Sequence, residues 1–550
     1  MNIYRIGEDM SKNTMLRGTL LLTGASFVSK LLGMLYTIPF ESLVGATGGK
    51  LYGLAYGPYT IFISLSTVGI PLAVSKFVAK YNSLGDYKTS RRMYNMALKL
   101  MFVTGIIAFL LLFFGANILA KIYIPDNAEG ITIDDVAMVI KMVSFALLII
   151  PSMSITRGFF QGFQSMGPTA ISQVIEQVVR IAFLLTSVYV VLNIFDGTTV
   201  TAVGFATFSA FIGAIASLFV LIIYWNKRKH HLNRYVEHQR IRPADLSTKA
   251  LFIELFQYAG PFVFVGLAIP LYQQIDAITF SRTLLDAGLT QLEVDNAFSN
   301  INLYGHKLIM IPITLATGMS LSSLPTLTKS FIEDNRSRLY QQINQSLQVI
   351  MLLILPAVVG MSLLSNQIWG AFYGINDFIT FNGEILGWYA PVALFFALFT
   401  VTSSILQSIN QQRFALYSLG IGLVLKAVLN IPLMLAFGPI GAVIATWIAS
   451  LGTVLSNLLR IQRAIAFPLK ALVKRSSLML IFSGFMSIAV LFVQATLSQW
   501  IDYTDGRLSS IIILVPAVTM GAYIYLWFSY RSTLLERVMG ERVKRLSRFF

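Results

Sequence analysis

The chain has 550 residues, 56% hydrophobic and only 12% charged, with a mean hydropathy of +0.71 and a formal net charge of +16. Soluble globular proteins carry roughly twice that charged fraction, so soluble multidomain, disordered and collagen-like chains are excluded and an integral membrane protein remains. Zero cysteines also remove disulfide frameworks, thiol catalysis and thiolate metal sites.

A helix needs about 20 mostly apolar residues to cross the hydrocarbon core, because no water is there to satisfy its backbone. In chain order such stretches fall at about 17–40, 55–79, 93–117, 136–160, 168–193, 200–225, 250–281, 298–324, 339–365, 383–408, 413–436, 439–460, 475–497 and 509–530. The predicted fold class is an all-α polytopic membrane protein of about 14 helices, in two pseudo-symmetric six-helix lobes plus two C-terminal helices. The organisation follows: an N-lobe over 1–225, a basic linker over 226–249, a C-lobe over 250–465, and a final helix pair with a basic tail over 466–550.

Basic residues test the count independently, because cytoplasmic loops collect Lys and Arg. With the N-terminus inside, the inner segments hold Arg5, Lys12 and Arg17, then Lys76, Lys80, Lys88, Arg91 and Arg92, then Arg157. They continue with Lys227 to Lys249, Lys329, Arg336 and Arg338, Arg413, Arg460 to Arg475, and Arg531 to Arg548. The outer loops hold little beyond Lys50, Lys121, Arg282 and Arg507, against acids such as Asp126, Glu129, Asp134, Asp135, Asp196, Asp286 and Asp502. One missed helix would invert every later loop. Both termini are therefore expected in the cytoplasm. The linker with its Lys-Arg-Lys-His-His run reads as a topology-fixing connector or a lipid-headgroup patch.

An internal repeat runs in the same membrane orientation. Aligning Gln161 with Gln407 sets Arg180 opposite Lys426, and the following helices open as Ala202-Val-Gly-Phe-Ala-Thr and Gly441-Ala-Val-Ile-Ala-Thr. Earlier, Ser75-Lys76-Phe77 matches Thr328-Lys329-Ser330-Phe331. Parallel repeats of this kind build transporters that rock about a midplane site.

An ionisable group at membrane depth costs several kcal/mol unless it meets a cavity or a partner. Lys30, Arg180, Lys307 and Lys426 are expected near mid-depth, and they are the candidate substrate-binding residues of a cationic cavity suited to an anionic cargo. Few acids oppose them. Glu176 stands one turn from Arg180, so it either forms an intrahelical ion pair or serves substrate. Asp276 and Lys426 either neutralise each other or act in coupling, with Asn430 one turn on joining that pair or an ion site. His306 is a hydrogen-bonded neighbour or a proton relay. No P-loop and no metal-spaced His/Asp/Glu cluster occurs, so no cofactor, no metal and no enzymatic activity are expected. Membrane potential, protons or sodium are the candidate energy sources.

The segments MLRGTLLLTGASFVSKLLGMLYTIPF, STVGIPLAVSKFVAKYNSLGDYKTSRRMY, RGFFQGFQSMGPTAISQVIEQVVRI and GLAIPLYQQID resemble the polysaccharide-exporter branch of the MOP superfamily, whose wider fold is MATE-like. The similarity is greatest to the MurJ/YtgP group of Gram-positive bacteria, relatives of the stage V sporulation protein B, and covers essentially the whole chain. It implies a lipid II flippase with fourteen helices around a cationic cavity, the last two forming a groove for the lipid tail. The implied partners are lipid II, membrane lipids and the cell-wall synthesis machinery, with no nucleic acid. Ser29-Lys30-Leu-Leu-Gly resembles the family's Ser-Arg-x-Leu-Gly, and Tyr304-Gly-His-Lys307-Leu its Tyr-Ala-Asp-Arg-Leu, so Lys30 and Lys307 replace arginines. Two further family arginines correspond to Tyr36 and the neighbourhood of Ser64. Some relatives bind sodium through carboxylates on helices seven and eleven; Asp276 matches the former, and Lys426 stands where another ligand is expected, so its ammonium is expected to replace the ion. The alternatives are a flippase for a teichoic-acid, capsular or spore-cortex lipid-linked sugar, a MATE-type multidrug antiporter, and a scaffold without transport.

Overall fold

The structure, a computed structural model, describes residues 21–22, 24–67, 69–125, 130–239, 241 and 247–539. The predicted loop charges Arg5, Lys12, Arg17, Asp126, Glu129, Arg240, Arg242 and Arg542 to Arg548 lie outside the described residues. Among the described residues the regular structure is entirely helical.

The chain divides at Pro270 into two units. The first contains α1 (24–35), α2 (Thr37–Thr67), α3 (Ile70–Ser83), α4 (Tyr87–Tyr123), α5 (Ile133–Ser144), α6 (Ile150–Gly162), α7 (Met166–Asn193), α8 (Thr199–Glu237) and the opening half of α9 (Thr248–Asp286). The second holds the rest of α9, then α10 (Gln291–Ser299), α11 (Gly305–Ile332), α12 (Arg336–Leu363), α13 (Ser365–Tyr373), α14 (Ile379–Tyr389) and α15 (Val392–Ser408). It ends with α16 (Gln412–Phe437), α17 (Pro439–Ile465), α18 (Lys470–Leu497), α19 (Arg507–Arg531) and the short α20 (Leu534–Met539).

Among the described residues, twelve helical stretches are long and apolar enough to cross a membrane. The first, Gly24–Ser83, runs 60 residues, about 90 Å of helix at 1.5 Å per residue. That is far more than one crossing needs, and it is interrupted at Gly45, whose φ of 62° breaks the helix. The 39-residue α9 is a further long helix.

The connection expected over 41–54 is reduced to the break at Gly45, and Lys50, predicted in an outer loop, is fully buried in the helix that resumes after it. The stretch was hard to read as helix because its glycines and polar residues dilute the apolar period. Likewise α8 extends through Glu237, carrying the first half of the basic linker as helix.

Local chemistry sets the ends. Asp86 accepts from the Thr89 amide to cap α4, and Asn335 accepts from that of Arg338 to cap α12. Thr132 with Asp135 and Thr290 with Glu293 form reciprocal capping boxes at α5 and α10.

The repeat is visible at its turns. Three residues join α6 to α7 and α15 to α16, with Gln164 (φ 56°) and Asn410 (φ 58°) left-handed at the middle position. The amides of Ser165 and Gln411 then bond back to Phe160 and Leu406. Before α4 and α12 the same construction recurs with Gly85 (φ 77°) and Asp334 (φ 48°). Register at this turn sets Lys80, rather than Lys76, opposite Lys329: each lies three residues before its helix ends.

Candidate functional site

In the first unit, α2 carries Tyr52, Tyr56 and Tyr59 at i, i+4 and i+7, a spacing that stacks them on one helix face. The Tyr52 and Tyr56 rings lie parallel with centroids 4.6 Å apart, and Tyr59 meets Tyr56 edge-on at 5.0 Å. The Tyr36 hydroxyl, from the junction of α1 and α2, donates to that of Tyr52 at 3.2 Å. Into this cluster α7 projects Arg180. Its Nη2 donates to the Tyr52 hydroxyl at 3.0 Å and to the Tyr56 hydroxyl, and its guanidinium carbon lies 5.2 Å from the Tyr56 ring centre. Its Nε is buried with no acceptor. Gly213 of α8 makes this placement possible: a Cβ there would stand 2.8 Å from the Glu176 carbonyl and 2.9 Å from the Arg180 Cβ, so only glycine lets α8 lie so close on α7.

The intrahelical pair of Glu176 with Arg180, one of the two readings of that spacing, does not form among the described residues. Glu176 is taken instead by Arg157 of α6, whose Nη2 lies 2.6 Å from its Oε2. Arg157 also donates to Ser172 at 3.0 Å and Ser217 at 2.6 Å, tying α6, α7 and α8 together. Spacing along one helix could not reveal a competitor from another.

Lys30, on α1, is exposed and has no carboxylate partner among the described residues.

In the second unit, Lys426 of α16 and Asp276 of α9 are an ion pair, Nζ to Oδ1 2.7 Å, with side chains 0% and 4% exposed. Nζ also donates to the Ala442 carbonyl and the Thr446 hydroxyl of α17, each at 2.8 Å. An ammonium has three N–H donors, so all are engaged. Asn430 donates to Asp276 at 3.0 Å and to Thr279 at 2.8 Å. Lys426, expected among the cations that meet substrate, is therefore corrected: it is neutralised, fully buried and saturated. Its surroundings, a carboxylate, a carbonyl and a hydroxyl, form an oxygen shell of the kind that holds a hard cation.

The other second-unit candidates follow an irregular segment. Residues Asn300–Tyr304 form a π-helical turn between α10 and α11, a feature that concentrates at functional sites. Asn300 reaches across to donate to the Asn382 carbonyl of α14 at 2.7 Å. One turn later, His306 Nδ1 lies 2.8 Å from the Tyr389 hydroxyl, and Lys307 beside it is half-buried.

Of the sequence candidates, Asp276, Lys426 and Asn430 come together in one network, while Glu176 joins Arg157. The tyrosines around Arg180 escaped sequence reasoning because aromatics at helical spacing read as core. The signal was the Tyr52-x3-Tyr56-x2-Tyr59 period in a helix also rich in glycine.

A polytopic helical protein with repeated halves and basic residues at membrane depth defines a membrane transporter class. Comparison with known proteins agrees. The polysaccharide biosynthesis protein family matches residues 15–331, and the MatE family matches 303–431. The chain is 49% identical over 532 residues to the lipid II flippase MurJ of Bacillus subtilis strain 168, covering 96% of this chain and 97% of that one. It is 24% identical to the stage V sporulation protein B of the same strain, over 88% of this chain and 90% of that protein. Among solved structures, a lipid II flippase MurJ in an inward closed conformation superposes with a TM-score of 0.64 at 16% identity, covering 94% of this chain and 99% of that chain. The chain belongs to the polysaccharide biosynthesis protein family.

Proposed function

We propose that this protein is a flippase that moves lipid II, the undecaprenyl-diphosphate-linked peptidoglycan precursor, from the inner to the outer leaflet of the cell membrane. The observation that carries this reading is the 49% identity, over nearly the full length of both chains, to a protein named for that activity. Lys30 and Lys307 contact the diphosphate in this reading: each is a cation on a membrane-depth helix, and Lys30 lacks a carboxylate partner among the described residues. The polyprenyl tail runs along α18 and α19, where Ile481, Ile488, Phe492 and Val515 are exposed. Chemistry on the cargo is not part of the role; the protein changes only its location. Both chain ends lie in the cytoplasm, a reading supported by the alternation of basic loops.

The energy source in this reading is the membrane potential acting on fixed positive charge, worth about 2.3 kcal/mol per charge per 100 mV. Sodium is not required, because the Lys426 ammonium already fills the oxygen shell of Asp276, Ala442 and Thr446.

The test is complementation. Cells depleted of their own lipid II flippase and expressing this chain recover growth and surface-exposed lipid II; Lys30→Ala and Lys307→Ala variants that insert normally do not. Failure of the unaltered chain to restore lipid II exposure overturns the cargo, and points to a sibling lipid-linked sugar. Full activity of both variants overturns the assignment of the two lysines.

A further inference from the structure

The repeat places two cations at one position. Arg180 and Lys426 each lie fourteen residues past the start of α7 and α16, after matching three-residue turns. The two units treat these charges oppositely. Lys426 is spent on Asp276 and two further acceptors. Arg180 has no carboxylate within salt-bridge distance among the described residues, and the nearest acid on its own helix, Glu176, is held by Arg157. Among the described residues its acceptors are phenol hydroxyls, which orient dipoles toward the guanidinium without cancelling its charge. Its Nε–H is buried without a hydrogen-bond acceptor among the described residues, although guanidinium carries five donors in a planar fork.

A charge in a low-dielectric bundle is costly when left unneutralised. A protein whose repeat shows how such a cation is neutralised, and which withholds the carboxylate in the other unit, keeps that charge for a ligand. Hydroxyl partners suit the purpose: they hold the guanidinium in one orientation, and they do not compete with an anion for it. The chemistry that matches an arginine fork with spare donors is a phosphate ester or diphosphate.

We propose that Arg180, seated in the cage of Tyr36, Tyr52, Tyr56 and Tyr59, is an anion subsite of the first unit that binds the diphosphate of the cargo, with Tyr52 and Tyr56 as positioning residues. The identity of the anion as part of a lipid rests on the flippase reading; the subsite itself does not.

The experiment measures binding of farnesyl diphosphate, farnesyl monophosphate and inorganic pyrophosphate to the purified full-length protein in nanodiscs, with thermal melts of every variant. The unaltered protein is expected to bind farnesyl diphosphate more tightly than the monophosphate. Loss of one charged hydrogen-bonding partner is worth about 1.5–3 kcal/mol, so Arg180→Gln weakens diphosphate binding by about tenfold to a hundredfold. Arg180→Lys keeps the charge but loses the fork, and removes the preference for diphosphate over monophosphate. The paired Tyr52→Phe and Tyr56→Phe change keeps the rings and the melting temperature, and weakens binding by about threefold to tenfold through a misplaced guanidinium. Lys99→Gln, which removes an exposed lysine of the same unit, leaves binding unchanged. Tight pyrophosphate binding that also depends on Arg180 identifies a free phosphate as sufficient; binding only of the farnesyl compounds identifies a lipid headgroup. Should Arg180→Gln bind like the unaltered protein, or the unaltered protein bind no diphosphate, the subsite is overturned. Should Arg180-dependent binding hold while lipid II exposure in depleted cells is not restored, the flippase reading fails and the subsite stands.

Discussion

Lys426 and Asp276 show how burial decides the meaning of a charge. In the chain they are 150 positions apart, and each is an anomaly at membrane depth. Folded, they lie 2.7 Å apart with essentially no exposure. Removing one member strands the other, at a cost of about 3–5 kcal/mol. Lys426→Met is therefore expected to lower the melting temperature sharply in detergent, while Lys426→Met combined with Asp276→Leu recovers most of the loss, because two apolar groups need no solvation. A double variant no more stable than Lys426→Met alone would show that the pair is not what holds α9 to α16. The same oxygen shell carries a second prediction. Exchanging sodium for potassium in the assay medium leaves lipid II exposure by the unaltered protein unchanged, and a dependence on sodium would show that the ammonium does not fill the ion's place.

At the scale of elements, the opening half of α9 docks on α3. Leu251, Leu255 and Ala259 are fully buried in one cluster with Ile70, Ala73, Val74, Phe77 and Val78. A Cβ on Gly69 would stand 2.8 Å from the Val263 side chain and closer still to the Ala259 carbonyl, so the two helices touch backbone to backbone. Glu254 adds an ion pair with Lys80 at 2.6 Å and accepts from the Tyr81 hydroxyl at 2.9 Å. Magnitudes rank these contacts. The Lys80 side chain is 48% exposed, and a pair in water contributes about 0–1 kcal/mol. Truncating a buried leucine costs about 2–5 kcal/mol. Leu255→Ala should thus destabilise the protein well beyond Lys80→Ala in parallel thermal melts, and equal losses would mean that the ion pair, not the apolar seam, fastens the helix.

For the whole molecule, topology is the property most directly testable, since the chain contains no cysteine and is already a clean background for labelling. Single cysteines at Ser83, the last residue of α3, and at His231, near the end of α8, should react with a membrane-impermeant thiol reagent only after cells are opened. A cysteine at Thr504, between α18 and α19, should react from outside. The reverse pattern would invert the orientation read from the basic loops.

Composition alone determined that this chain lives in a bilayer, because an apolar helix of sufficient length has no other stable solvent. The spacing of apolar runs set the expected number of crossings, and the alternation of Lys and Arg between them the expected orientation. The repeat was legible too, since Arg180 and Lys426 stand at the same distance from matching turns. What those charges face was not legible. Lys50 moved from loop to buried helix, Glu176 changed partner from Arg180 to Arg157, and a tyrosine stripe that reads as core became the surroundings of a guanidinium. Periodicity reports which face of a helix is apolar, a local property of the chain. Which carboxylate, hydroxyl or carbonyl meets a given cation depends on other helices, from Glu176, 19 positions from Arg157, to Asp276, 150 from Lys426, and only packing brings them within 3 Å.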